Sequence, residues 1–183
     1  MNSDALSALL SRYVPSDARE QVFRARMKEL VRQPSAFDRR FFSPGHFTAS
    51  AFVLSPERDA VLLVLHRKLG IWVQPGGHVD ASDADVASAA RREVAEETGV
   101  TELEPLLGAD TLFDVDIHPI PARGIEPSHE HFDVRFAFRA ARRALVESDE
   151  VSAVRWVSLP ETPSVTTDRS VLRAVEKLRA LVG

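Results

Sequence analysis

Apolar residues recur at helical spacing near the start of the chain, which predicts that residues 2–33 are helical. Ser16 follows Pro15 and is a suitable N-cap, and Pro34 ends the pattern. The apolar stripe consists of Val22, Phe23, Met27, Leu30 and Val31. We interpret this segment as a helical arm packed on the rest of the protein, in preference to a separate functional module.

Beyond His46 the apolar residues no longer recur at helical spacing and instead form the short segments typical of strands. Ala60–Leu65 is a continuous apolar run, as expected of a buried strand. The pattern also predicts strands at 47–54, 71–74, 103–116, 131–139 and 153–158, and helices over 84–98 and from Thr167 or Asp168 onward. Because strands and helices mix without regular βαβ alternation, we expect an α/β protein with a mixed sheet covered by helices.

Three carboxylates share one face of the helix predicted over residues 84–98. At about 100° per residue, Glu93, Glu96 and Glu97 fall within about 100° of one another. Like charges at this spacing destabilise a helix by about 0.2–0.5 kcal/mol per pair, and a hard divalent cation such as Mg²⁺ would offset that repulsion. The alternative is a solvated acidic helix end in which Arg92 pairs with the glutamates.

The segment before this helix suits the binding of a phosphate. Gly76 and Gly77 follow an apolar strand, and glycines there let the backbone approach a ligand closely. The loop over residues 77–83 then leads to a helix N-terminus, which favours anions. On the helix itself Glu97 projects between Val86 and Ala90, toward the protein body, where a carboxylate needs a partner.

Together these residues resemble the Nudix box. The run Gly77-x5-Asp83-x8-Arg92-Glu93-Val94-x-Glu96-Glu97-x-Gly99-Val100 follows the family pattern G-x5-E-x7-R-E-U-x-E-E-x-G-U, where U is bulky and aliphatic. It departs from the pattern in having Asp83 where the family has Glu, with Asp85 as a competing acid, and in one extra residue before Arg92. The resemblance implies a Nudix-like α/β/α sandwich at residues 45–183, preceded by an N-terminal helical extension at residues 1–44.

The resemblance also implies a function and a set of roles. It implies hydrolysis of a diphosphate bond, in a nucleoside diphosphate linked to another group or a related small metabolite, with Mg²⁺ or Mn²⁺ as cofactor. Arg92, Glu93 and Glu96 are the expected catalytic residues, with Arg92 orienting Glu93 as base or ligand. The expected metal ligands are the Gly76 carbonyl, Glu93, Glu96, Glu97 and Glu150. For Glu150 a solvated acidic turn is the favoured alternative.

Other polar residues are candidates for contact with the substrate. Arg67 and Lys68 end the second strand, and His78 follows Gly77; all four are expected substrate contacts, with a solvated strand end as the alternative for the two cations. His129 and His131 alternate and therefore share one strand face. We interpret that face as a substrate wall or plain surface in preference to a zinc site, because a pair lacks a third ligand.

Composition narrows the function classes. The chain has a net charge of −4 and no cysteine, which argues against a polymeric nucleic-acid partner or an anionic membrane and excludes disulfides. No segment has the length of a membrane span, so we expect a cytoplasmic protein, with a homodimer as one option. A non-catalytic, ligand-sensing Nudix-like domain is the alternative. The absence of cysteine argues against an isoprenoid diphosphate isomerase, and the acidic charge argues against an RNA-end pyrophosphohydrolase.

Overall fold

The structure, a computed structural model, describes residues 3–67, 69–108, 111–146, 149 and 151–182. Its helices are α1 (Ser3–Arg12), α2 (Ala18–Leu30), α3 (Val86–Thr98), α4 (Thr162–Val165) and α5 (Arg169–Val182). Its strands are β1 (Gly45–Leu54), β2 (Ala60–Leu65), β3 (Trp72–Val73), β4 (Gly76–His78), β5 (Leu103–Pro105), β6 (Asp114–Ile120), β7 (His129–Ala140) and β8 (Ala153–Ser158). A 3-10 helix, Leu159–Glu161, precedes α4.

The N-terminal segment is helical, as predicted, and forms two helices, α1 and α2. The helical pattern is interrupted at Pro15, whose ring fixes its own backbone and disfavours a helical conformation in the residue before it. Asp17, not Ser16, is the N-cap of α2, since its side chain accepts from the backbone N–H of Glu20 at 2.7 Å. The buried carboxylate of Glu20 accepts from the Tyr13 hydroxyl at 2.6 Å and from Ser16, which fixes the turn.

The eight strands form one sheet in the order β3-β2-β1-β7-β5, with β4 paired to β1, β6 to β7 and β8 to β2. The prediction of an α/β fold with a mixed sheet and N-terminal helices is confirmed. Strands β2 and β8 have the predicted bounds and pair antiparallel along their whole length. The single strand predicted over 103–116 is wrong: it is two strands, β5 and β6, which both pair antiparallel with β7.

The chain divides into two compact units, each discontinuous in sequence. The first comprises residues 1–49, 77–90 and 107–136, and in it α2 packs against β6. The second comprises residues 50–76, 91–106 and 137–183, and in it β2 lies between β3 and β8. Both units are assembled from separate stretches of sequence, so they do not test the domain boundary expected at residue 45. That boundary stays a prediction. Within the described ranges, no helix is both long enough and apolar enough to cross a membrane.

Helix α5 starts where the sequence predicted. The carboxylate of Asp168 accepts from the backbone N–H groups of Ser170 and Val171 at 2.8 and 3.0 Å, which is an N-cap. Its apolar face is buried through Val171, Ala174, Val175 and Leu178. The short 3-10 helix and α4 that precede it were not predicted.

Candidate active site

Helix α3 carries the acidic residues, and its own sequence fixes which way they face. Asp85 caps the helix, because its Oδ1 accepts from the backbone N–H of Ser88 at 2.7 Å. The apolar stripe of Val86, Ala90 and Val94 is buried. Burial of that stripe sets the rotation of the helix, and the positions of the three glutamates on it follow from helical geometry.

Arg92 holds two of the glutamates together. Its Nη1 donates to Glu93 Oε1 at 3.0 Å and to Glu96 Oε2 at 2.7 Å. The Glu93 side chain is 12% exposed and that of Glu96 is 44% exposed, so Glu93 is mostly buried and Glu96 faces solvent. The guanidinium offsets the repulsion between the carboxylates and fixes their orientation. The acid–arginine pairing anticipated from the sequence is therefore present.

The third glutamate contacts the glycine segment. Oε2 of Glu97 accepts a hydrogen bond from the backbone N–H of Gly76 at 3.0 Å. The φ of Gly76 is +155°, a conformation that residues with a Cβ rarely adopt. The preceding residue is anchored as well, since the Pro75 carbonyl accepts from the N–H of Ala51 at 3.0 Å. Glu97 thus turns toward the protein, as predicted, and brings the Gly76 backbone to the acidic helix.

The donor atoms collected here suit a hard divalent cation. Three carboxylates and the peptide of Gly76 belong to one compact unit, and all the predicted ligand atoms among them are oxygens. Mg²⁺ and Mn²⁺ prefer oxygen ligands of this kind, whereas zinc and copper favour nitrogen and sulfur. The residues therefore fit the cation that the sequence resemblance implied.

The two aspartates of the preceding loop have structural partners. The carboxylate of Asp83 accepts from the N–H of Asp80 at 2.8 Å, and the N–H of Asp83 donates back to the Asp80 carbonyl at 3.1 Å. This reciprocal pair closes a turn within the loop, and Asp83 is buried there. Because Asp85 caps α3, both candidates for the first acidic position of the box accept backbone hydrogen bonds.

The remaining predicted residues are spread over other positions. Gly77 and His78 continue strand β4 from Gly76, and burial lowers the pKa of His78 to about 4. Arg67 lies exposed in the turn after β2. Lys68 and Glu150, the predicted second cation and additional metal ligand, lie outside the described residues.

A histidine that sequence reasoning missed completes a cluster with the pair on β7. His46, at the start of β1, lies with His129 and His131 so that one ring nitrogen of each falls within 4.8 Å of the others. Burial lowers the pKa of His46, and burial together with the neighbouring imidazoles lowers the pKa of His131 to about 2. The sequence offered no signal for His46, because its place depends on the pairing of β1 with β7.

Comparisons with known proteins show the family to which the chain belongs. The family model described as NUDIX domain matches residues 44–175. An RNA pyrophosphohydrolase of Caulobacter vibrioides is 40% identical over 57% of this chain and 66% of that protein, so the match spans just under two thirds of the relative.

Solved structures show the same fold. A NUDIX family hydrolase from Clostridium perfringens is 24% identical with a TM-score of 0.55, covering 74% of this chain and 97% of that one. The NUDIX domain of Shewanella oneidensis NrtR, complexed with ADP ribose, is 22% identical with a TM-score of 0.57, covering 82% and 94%.

Proposed function

Since the chain belongs to the NUDIX domain family, we propose that it hydrolyses a diphosphate bond in a small phosphorylated substrate, using the carboxylates of Glu93, Glu96 and Glu97. The observation that carries the proposal is the hydrogen bond from the Gly76 N–H to Glu97. It joins the glycine segment, where backbone can approach a phosphate, to the acidic face of α3.

The chain's own residues divide the work of the proposed reaction. Glu96 and Glu97, with the Gly76 carbonyl, are the proposed metal ligands. When bound, Mg²⁺ or Mn²⁺ neutralises phosphate charge and makes bound water more acidic. Glu93 is held by Arg92 and largely shielded from solvent, which suits a base that takes the proton of the attacking water. The water oxygen bonds to phosphorus, and the bridging P–O bond breaks.

RNA is a second candidate substrate, and the name of the Caulobacter vibrioides relative favours it. A pyrophosphohydrolase acting on RNA releases diphosphate from a 5′ end that carries it. The net charge of −4 disfavours an extended contact with a polyanion, so we place the small-molecule substrate first. The two classes are separated by comparing a 5′-triphosphorylated oligonucleotide with nucleoside diphosphate sugars and dinucleoside polyphosphates at equal concentration.

Replacement of Glu97 by glutamine tests the proposal. The glutamine side chain keeps an oxygen that accepts from the Gly76 N–H, so we expect the fold to survive, but the change removes a metal-binding charge. Metal stabilisation of a phosphate is worth several kcal/mol, which corresponds to a rate loss of roughly 100-fold or more. Glu104→Gln is the matched control, because Glu104 is an exposed acid that pairs with Arg139. Initial rates on the substrate panel with MgCl₂, and again with EDTA, provide the measurement.

Three outcomes of this experiment contradict the proposal. They are wild-type turnover by Glu97→Gln, full turnover in EDTA, and the absence of any product from every member of the panel. Binding of a panel member without product formation would favour the non-catalytic, ligand-sensing domain instead.

A further inference from the structure

Five of the chain's six histidines form one group of ring contacts. His46, His78, His118, His129 and His131 all belong to the first compact unit, and the centroids of contacting rings lie 4.9–5.5 Å apart. Aromatic packing alone accounts for rings at such distances. The hydrogen bonds of the individual rings are more informative about metal binding. They determine which ring nitrogen carries the proton and which has the free lone pair.

Two of these rings are held by backbone carbonyls. Nδ1 of His46 lies 3.2 Å from the Phe41 carbonyl oxygen, and Nδ1 of His129 lies 2.9 Å from that of Pro127. A carbonyl oxygen only accepts hydrogen bonds, so Nδ1 carries the proton in both rings and Nε2 presents a lone pair. Histidine ligands of metals have the same arrangement, with one nitrogen bound and the other donating to a carbonyl or carboxylate.

The lone pair of His46 is buried. Its side chain is 1% exposed, and Nε2 has no hydrogen-bond partner within the described residues. A buried polar atom left without a partner destabilises the folded state, because it has lost its hydrogen bonds to water. One ring nitrogen from each of His46, His129 and His131 lies within 4.8 Å of the others, so a cation bound between the three rings would give the buried lone pair a partner.

We propose that His46, His129 and His131 form a binding site for a divalent transition-metal ion of the zinc class, separate from the carboxylates of helix α3. Zinc–nitrogen bonds of about 2.0–2.1 Å place tetrahedral ligands about 3.4 Å apart. The ring nitrogens now lie up to 4.8 Å apart, so binding of the ion requires the rings to move closer together.

The chemistry of the cluster selects the class of ion. Three imidazoles suit Zn²⁺, Cu²⁺ or Ni²⁺ and are poor ligands for Mg²⁺, which prefers oxygen. Burial lowers the pKa of His46 and of His131, which favours the neutral form that a nitrogen ligand must have. His78 lies 5.2 Å from both His46 and His131, ring centroid to centroid, and is a fourth imidazole beside the site. His118, whose side chain is 40% exposed, contacts His131 and gives the cluster an edge toward solvent.

Metal titration of the chelator-treated full chain tests the site. We expect one equivalent of Zn²⁺ to bind by calorimetry, and Co²⁺ to give the strong visible absorption of a four-coordinate, nitrogen-ligated ion. His46→Asn and His131→Gln should each weaken Zn²⁺ binding by at least tenfold, since even the partners of a ligand are worth about 10–100-fold. His66→Ala, the histidine of the other unit, and the double variant Glu96→Gln/Glu97→Gln are controls that should keep wild-type Zn²⁺ affinity.

The controls separate this site from the acidic helix, so the inference is independent of the proposed hydrolysis. It is overturned if the wild type binds no Zn²⁺, or if the glutamine double variant loses the Zn²⁺ that the histidine variants keep. Because His46 is buried, far-UV circular dichroism accompanies each titration. Should His46→Asn not fold, His131→Gln, on the half-buried side of the cluster, decides the question alone.

Discussion

At the scale of single residues, the guanidinium of Arg135 lies buried among three carboxylates on β6 and β7. Its Nε donates to Asp133 at 2.7 Å and its Nη1 to Asp114 at 3.2 Å, while Nη2 lies 3.4 Å from Asp116. Burial by itself lowers the pKa of Arg135, but the three carboxylates outweigh it and raise that pKa above its usual value. Arg135 therefore stays charged and is the counter-charge for buried acids.

Replacing Arg135 by methionine should destabilise the protein by about 3–5 kcal/mol, because the carboxylates stay buried without their cation. The control is Arg139→Met on the same strand, whose ion pair with Glu104 is largely exposed and worth about 0–1 kcal/mol. Urea unfolding gives both free energies. An Arg135→Met variant as stable as the control would show that the buried acids do not need the guanidinium.

The same variant should depend on pH in a stated direction. Loss of the guanidinium leaves surplus buried negative charge in the folded variant, and proton uptake on acidification neutralises it, so the folded state binds more protons than the unfolded state. The free energy of unfolding then rises as pH falls, and the deficit relative to the wild type should shrink. A deficit that widens on acidification would contradict this account.

At the scale of elements, helix α3 ends at a glycine that two independent constraints require. Gly99 has a φ of +73°, and its N–H donates to the Ala95 carbonyl at 2.9 Å, as expected of a residue just past a helix. A Cβ at this position would lie 2.7 Å from Cβ of Val146. The N–H of Val146 donates to the Thr98 carbonyl at 2.9 Å, which holds that neighbour in place.

Gly99→Ala and Gly108→Ala separate backbone strain from steric conflict. Gly108 also has a positive φ, of +86°, but among the residues that the structure describes a Cβ there meets nothing within 4 Å. We expect Gly108→Ala to lower the free energy of unfolding by about 1–2 kcal/mol, the cost of a left-handed conformation, and Gly99→Ala to lower it further. Chemical denaturation measures both. Equal losses would mean that Val146 moves aside without cost.

Local patterns predicted some elements well and failed where distant residues decide. Strands β2 and β8 have their predicted bounds. In β2 a continuous run of apolar residues between polar ones leaves few alternatives. The helical character of the N-terminal segment and a cap just after Pro15 could be predicted, but not that the cap is Asp17. The break between α1 and α2 is stabilised by hydrogen bonds of Tyr13 and Ser16 to the buried Glu20 carboxylate. The spacing of apolar residues carries no information about such hydrogen bonds.

The candidate sites divide in the same way. The positions of Glu93, Glu96 and Glu97 on one face could be predicted, because helical geometry relates residues three and four apart. The contact between Glu97 and Gly76 could be expected for two reasons. Helical geometry turns Glu97 toward the protein, and the glycine segment shortly precedes the helix in sequence. His46 belongs with His129 and His131 through the pairing of β1 with β7, strands far apart in sequence, and a lone histidine at a strand start carries no such information.

At the scale of the whole molecule, the N-terminal helices contribute to the core of the first compact unit. Leu6, Leu10 and Met27 are buried, and Arg26 both pairs with Glu130 and lies over the ring of Phe132, 5.2 Å from its centroid. The predicted apolar stripe is only partly buried, since Val22 is 57% exposed. These contacts indicate a segment on which the folding of the unit depends.

Removal of residues 1–33 should therefore abolish cooperative thermal unfolding. Each buried apolar side chain is worth about 1.5–3 kcal/mol, and together they approach the total stability of a domain, about 5–15 kcal/mol. Met27→Ala should cost about 2–5 kcal/mol, whereas the exposed Val22→Ala should change stability by less than about 0.5 kcal/mol. If the truncated chain melts at the wild-type temperature, the helices are a separable extension.

The loop before α3 should tolerate changes in its length, because the turn between Asp80 and Asp83 and the cap at Asp85 are each formed locally. The turn is closed by its own hydrogen bonds, and the first turn of α3 takes its start from the cap and its rotation from Val86 and Ala90. A lineage that gains or loses a residue ahead of Asp85 changes the path of the loop without turning the carboxylates away from Gly76. The loop ahead of Asp85 can therefore accommodate the one residue by which this chain exceeds the box pattern, while the buried stripe still sets the rotation of α3.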